Sequence, residues 1–93
     1  MYETILQQIQ ASIRAGRYVM TVHAEEEMND DGLSIFDVEA AILSGSVTER
    51  QRDHRTGEWK YLICGRSTTQ VVVEVAAKLR PHDLVVILTV YVV

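Results

Sequence analysis

The chain has 93 residues, of which 47% are hydrophobic and 24% charged, and its formal net charge is −4. That length holds a single domain, 1–93, since a second core needs roughly 50 further residues. One cysteine excludes an internal disulfide and a multi-cysteine zinc site, and a duplex-DNA binder relying on phosphate contacts would be more basic.

From the start of the chain, Tyr2, Ile5, Leu6, Ile9 and Ile13 recur at helical spacing, with Gln7, Gln8, Gln10 and Arg14 on the other side. This predicts an amphipathic helix ending near Gly16. Tyr18-Val19-Met20 is a short extended lead into a second helix. Thr21 caps that helix, Glu25, Glu26 and Glu27 favour the positive end of its dipole, and Ala24 and Met28 face the core. Asn29-Asp30-Asp31-Gly32 stops it. The third helix carries the strongest local signature. Ser34 is its cap, Asp37 stands at the third helical position as an acidic capping box, and Leu33 and Val38 are placed for a hydrophobic staple. Ile35, Val38, Ala41 and Ile42 supply its buried face, and Gly45 ends it.

Four strands follow. Ser46 to Asp53 is polar and suits a sheet edge, and His54-Arg55-Thr56-Gly57 turns the chain. Glu58 to Gly65 carries Trp59, Tyr61 and Ile63 on one side, with Leu62 and Cys64 on the other. Gln70 to Arg80 alternates Val71, Val73, Val75, Ala77 and Leu79 against Val72, Glu74, Ala76, Lys78 and Arg80. Pro81-His82-Asp83 then turns into Leu84 to Val93, apolar at nearly every position and expected to be central and covered on both faces. Short turns imply antiparallel neighbours. The expected class is α+β, with N-terminal helices packed on one face of a four-stranded antiparallel meander.

His23-Ala24-x-x-x-Met28, Gly32-Leu33-Ser34, Val38-x-x-Ala41-Ile42-x-x-Gly45-x-Val47-x-Glu49, Lys60-Tyr61-Leu62-Ile63-Cys64-Gly65 and Ile87-Leu88-Thr89-Val90-Tyr91 follow one another in order. Over residues 18 to 92 this series resembles the bacterial domain-of-unknown-function family 4258. That family is grouped by fold with the RelE/ParE-like toxins and related small ribonucleases. The resemblance implies a RelE-like fold and a metal-free, RNA-cleaving or ribosome-directed ancestry. Members of the family often carry a basic residue just before the Gly-Leu-Ser position, where this chain has Asp30-Asp31.

Metal-free RNA cleavage needs a base for the 2′-hydroxyl, a cation for the phosphorane and an acid for the leaving oxygen. His23 is the candidate acid or base, because an imidazole titrates near neutral pH. The alternative is a structural histidine paired with a neighbouring Glu or a backbone carbonyl. Arg50, Arg52 and Lys60 are the candidate phosphate-binding residues, since guanidinium groups bind phosphate bidentately; their other reading is a charge-protected edge. Tyr91, sharing a face with Ile87, Thr89 and Val93, is the candidate supporting catalytic residue, or else a tyrosine whose tip is in water. Glu74, Lys78 and Arg80 are expected to form cross-strand pairs, Trp59 to pack and Cys64 to be a buried, inert thiol. His23, His54 and His82 lack metal-ligand spacing, so neither a metal nor another cofactor is expected.

Two functions follow as expectations. One is a small RelE-like domain acting on RNA as a metal-free ribonuclease or toxin-type protein. The other is a non-catalytic protein-interaction module, either a homodimer or a toxin-like domain held by an antitoxin-like partner. The chain has no run of about 18 apolar residues to span a membrane, and no basic-then-apolar leader pattern. The expected location is the cytoplasm.

Overall fold

The computed structural model describes residues 1–93. Helix α1 spans Glu3–Arg14, α2 Val22–Asp30 and α3 Ile35–Ser44. The strands are β1 Tyr18–Met20, β2 Ser46–Arg52, β3 Trp59–Arg66, β4 Val72–Arg80 and β5 Leu84–Val92, with a short 3-10 turn at Pro81–Asp83. Both helix caps form as the sequence predicts. The Thr21 hydroxyl oxygen accepts the Ala24 N–H at 3.1 Å, and Ser34 and Asp37 exchange both bonds of a capping box. The second carboxylate oxygen of Asp37 also accepts from the N–H and hydroxyl of Thr68, which ties the start of α3 to the β3–β4 loop.

The strand order is β1-β5-β4-β3-β2. The four expected strands form an antiparallel run, but the sheet is five-stranded and mixed rather than a four-stranded meander. Tyr18–Met20, expected as a mere extended lead, is the fifth strand and runs parallel to β5, with Tyr18 opposite Val85 and Met20 opposite Ile87. Three extended residues carry no local mark of strand pairing, and their partner lies at the far end of the chain.

All three helices pack on one face. Ile9, Ile13, Ala24, Val38, Ala41 and Ile42 meet Ile63, Val73, Val75, Ala77, Val85, Ile87 and Val90 in a single buried cluster. The opposite face has no helix. This corrects the expectation for β5, which is interior in the sheet yet covered on one side only. Its Leu84, Val86, Leu88 and Thr89 are half-buried. A bulge at Leu88, where Ala77 faces Ile87 and Ala76 faces Thr89, shifts the alternation. Val90 therefore joins Ile87 in the core, while Thr89 and Tyr91 turn to the open face. The face that these two were expected to share with Ile87 does not exist.

Strand β1 covers only the first half of β5, and α2 serves the rest of that edge with side chains. The Thr21 hydroxyl donates to the Leu88 carbonyl at 3.2 Å. The Val90 N–H donates to Glu27 Oε1 and the Val92 N–H to Asp31 Oδ2, each at 3.1 Å. Unpaired edge amides would otherwise need water or another chain. Asp31, standing where the family resemblance would suggest a base, is thus a backbone acceptor.

Gly45 ends α3 in extended backbone, φ −92° and ψ 179°, not in the left-handed region expected of a helix-stopping glycine. Its constraint is space. A Cβ on Gly45 would lie 2.6 Å from the Ala41 carbonyl oxygen, and a Cβ on Gly65 would lie 1.9 Å from the same atom. The last turn of α3 rests on β3 backbone. No helix is long and apolar enough to cross a membrane.

Two predictions follow from this packing. Gly65→Ala must push α3 off β3 and should destabilise by about 3 kcal/mol, the upper end of core overpacking. Urea unfolding would show this as a lower midpoint at unchanged slope. Glu27→Ala should cost about 1 kcal/mol for the lost acceptor. It should also speed hydrogen exchange at Val90 while the Val75 amide, inside the sheet, keeps its protection.

Candidate functional site

Strand β2 is the free edge of the sheet. A bulge between Val47 and Glu49 sets its phase, so that Arg50 lies opposite Tyr61 and Arg52 opposite Trp59. Both guanidiniums sit over the Trp59 ring, their Cζ atoms 3.9 and 4.2 Å from its centroid. Such cation–π contact holds two like charges against one ring with no carboxylate paired to either. Neither arginine belongs to the chain's ion pairs, which involve Lys78, Arg80, His23 and the N-terminus. Arg52 also donates to the Gly57 carbonyl at 3.2 Å. Lys60 is placed differently. It lies opposite Gln51 and, by strand alternation, points to the open face. The structure therefore brings together two of the three expected phosphate ligands.

Beside this cluster, α1 and the β2–β3 edge leave a groove of about 320 Å³ lined by Met1, Tyr2, Thr4, Ile5, Gln8, Arg50 and Tyr61. Tyr2 and Tyr61 meet edge to face, with ring centroids 6.4 Å apart.

His23 occupies the first turn of α2, exposed, with Nε2 3.4 Å from Glu27 Oε1. The same oxygen accepts the Val90 N–H, so the histidine leans on the carboxylate that caps the β5 edge. Tyr91 is on the open face and donates its hydroxyl to Glu74. That carboxylate raises the phenol above its ordinary pKa, which makes it a weaker acid. The arginine pair is on β2, three strand spacings or about 14 Å from β5, and on the helix-covered face rather than that of Tyr91. His23, Tyr91 and the arginines do not share a cleft. Acid–base chemistry on one phosphate needs them within hydrogen-bond reach of it.

The open face holds a cluster that alternation only half announced. Lys78 faces away from the valines as expected, but its side chain is only 5% exposed because the 53–58 loop folds over it. Its Nζ lies 2.8 Å from Asp53 Oδ2, 3.2 Å from Glu58 Oε1 and 3.3 Å from Thr56 Oγ1, and Arg80 joins Glu58 at 3.2 Å. The bond to Asp53 raises the lysine's pKa against the opposing effect of burial. The ammonium stays charged and staples the loop. Cys64, expected to be a buried thiol, is half-buried on the open face. Its neighbour Ile63 takes the buried position.

Acid should unfold the protein through two carboxylates in particular. Lys78, aided by the Arg55 N–H, holds Asp53 down to about 2. The Ser34 N–H, followed by the Thr68 hydroxyl, holds Asp37 down to about 2. Both start from an ordinary value of 3.8. A lowered folded-state pKa gives stability that is complete above the unfolded value and lost as pH falls through the folded one. Urea midpoints should therefore drop between about pH 4 and 2, and the drop should flatten in Asp37→Asn and Asp53→Asn.

No curated protein and no solved structure matches the chain. The model of one family, the domain of unknown function DUF4258, matches residues 20–92, which takes in every element except α1 and the start of β1. The chain belongs to the DUF4258 family.

Proposed function

We propose that this protein is a non-catalytic protein-interaction module of RelE-like build, working as a homodimer through the open face of its sheet. The observation that carries this reading is the one-sided packing of the helices. It leaves Val19 50% exposed, with Leu62, Leu84, Val86 and Leu88 half-buried on or bordering the same bare surface. Contiguous apolar surface of this kind marks association sites, and a domain of 93 residues gains stability by covering it. The RelE-like order of helices followed by antiparallel strands is here a shared build and not a shared chemistry. A bacterial cytoplasm, where a free thiol such as Cys64 stays reduced, is the setting this reading assumes.

Action on RNA is the second reading, and the unpaired Arg50–Arg52 cluster favours it. As catalysis it would require His23 or Tyr91 to reach the same phosphate. An antitoxin-like protein would then be the partner in place of a second copy.

Light scattering across a wide concentration range separates these readings. The expected result is a monomer–dimer equilibrium that Val86→Lys shifts to monomer while the circular dichroism spectrum is retained. A monomer at every concentration, with Val86→Lys indistinguishable from it, would overturn self-association. RNA degradation that disappears in His23→Ala would overturn the non-catalytic assignment.

A further inference from the structure

We propose that the groove between α1 and the β2–β3 edge binds a nucleoside monophosphate unit, with its base against Tyr2 and Tyr61 and its terminal phosphate on Arg50 and Arg52. The site lies on the helical side of the sheet, so it stands or falls independently of dimerisation through the open face.

The groove has the dimensions and lining of a small-ligand site. Its 320 Å³ lies at the low end for such sites, suited to one nucleotide rather than a dinucleotide. Two aromatic rings and Ile5 form apolar walls, and Arg50 is the one charged side chain among the lining residues. Aromatic side chains are general platforms for bases because every base presents a π-face. The polar groups of the wall are unspent. The chain's side-chain hydrogen bonds engage Gln10, Gln51 and Arg52 on the same elements, but not Tyr2, Thr4, Gln8, Arg50 or Tyr61.

The arginine pair selects the charged end. The two Cζ atoms, 3.9 and 4.2 Å from one ring centroid, can be separated by no more than the sum of those distances. Both cations are therefore gathered at one indole, and each guanidinium offers the donor fork that suits a phosphate. Two unpaired cations held together favour a dianionic terminal phosphate over a singly charged internal phosphodiester. Trp59 lies under the guanidiniums and positions them, while its own face is taken. The α1 wall falls outside the family match at residues 20–92, so the family model covers the Tyr61 side of the seat for the base but not the Tyr2 side.

Trp59 is the only tryptophan, so its emission reports on the arginines. AMP is titrated against the full chain by fluorescence and by calorimetry, with inorganic phosphate and adenosine in parallel. Saturable AMP binding, tighter than that of phosphate or adenosine, is expected. Arg50→Ala should weaken it roughly tenfold or more, the loss of one charge-assisted contact. Tyr2→Ala should weaken AMP several-fold and leave phosphate unchanged, and both variants should melt as the parent does. A short oligoribonucleotide with and without a 5′-phosphate distinguishes the source. Binding that requires the 5′-phosphate points to RNA ends, and binding of AMP alone points to a free nucleotide. The proposal is overturned by no saturable response to AMP, by equal affinity in Arg50→Ala, by phosphate binding as tightly as AMP, or by oligonucleotide binding indifferent to the 5′-phosphate.

Discussion

The second half of β5 has backbone amides on a sheet edge and no strand to receive them. Much of the molecule's arrangement follows from how that demand is met. Glu27 and Asp31 of α2 accept the Val90 and Val92 N–H groups, and Thr21 donates to the Leu88 carbonyl. Each bond contributes only about 1 kcal/mol net, but together they fix where α2 lies against the sheet. They also determine what its acidic residues are for. A helix first turn rich in Glu reads in sequence as dipole stabilisation, and Glu25 serves that purpose. Glu27 instead does the work of a missing strand, and it takes His23 with it as an exposed companion.

One-sided packing is the second consequence of this layout. With every helix on one face, the core is built from a single set of alternating strand residues. Its tightest point is backbone on backbone, where Ala41 meets Gly45 and Gly65. The other face is stabilised by polar means. Lys78 is buried there by a loop whose carboxylates neutralise it, and Glu74 holds the Tyr91 hydroxyl. A buried ammonium with two carboxylates and a hydroxyl satisfies the condition for keeping a charge out of water. It also leaves Lys78 fully protonated and unfit as a nucleophile. The apolar remainder of that face, around Val19, Val86 and Leu62, has no cover within the chain.

Separation of the candidate catalytic groups bears on function more than any single residue does. An imidazole at the β5 edge, a phenol on the open face and two guanidiniums at the β2 edge cannot act on one phosphorus atom from where they stand. What the β2 edge does offer is cationic charge left free of partners and ordered by an indole ring. Charge placed this way is what the proposed anion site draws on, since binding an anion needs position and sign but no proton transfer. Interaction through the sheet and anion recognition at its edge can coexist, because they use opposite faces.

Local chemistry in the sequence was enough to determine the three helices, the caps of α2 and α3, the four long strands and the alternation along β3 and β4. These depend on periodicity and on contacts a few residues apart, which the chain carries wherever it goes. The same alternation put Arg50 and Arg52 on one face, but only the register of β2 against β3 showed that Lys60, opposite Gln51, points to the other. Three further features were decided only by tertiary structure. Pairing of Tyr18–Met20 with β5 joins residues from opposite ends of the chain. The bulge at Leu88 changes the phase by one residue and moves Tyr91 across the sheet. Burial of Lys78 depends on a loop closing over it. Each is set by what happens to lie alongside once the strands are ordered, and a one-residue change of register reverses every side chain beyond it. Whether His23, Tyr91 and the arginines meet is a question of that kind, decided by strand order and not by any property of the residues themselves.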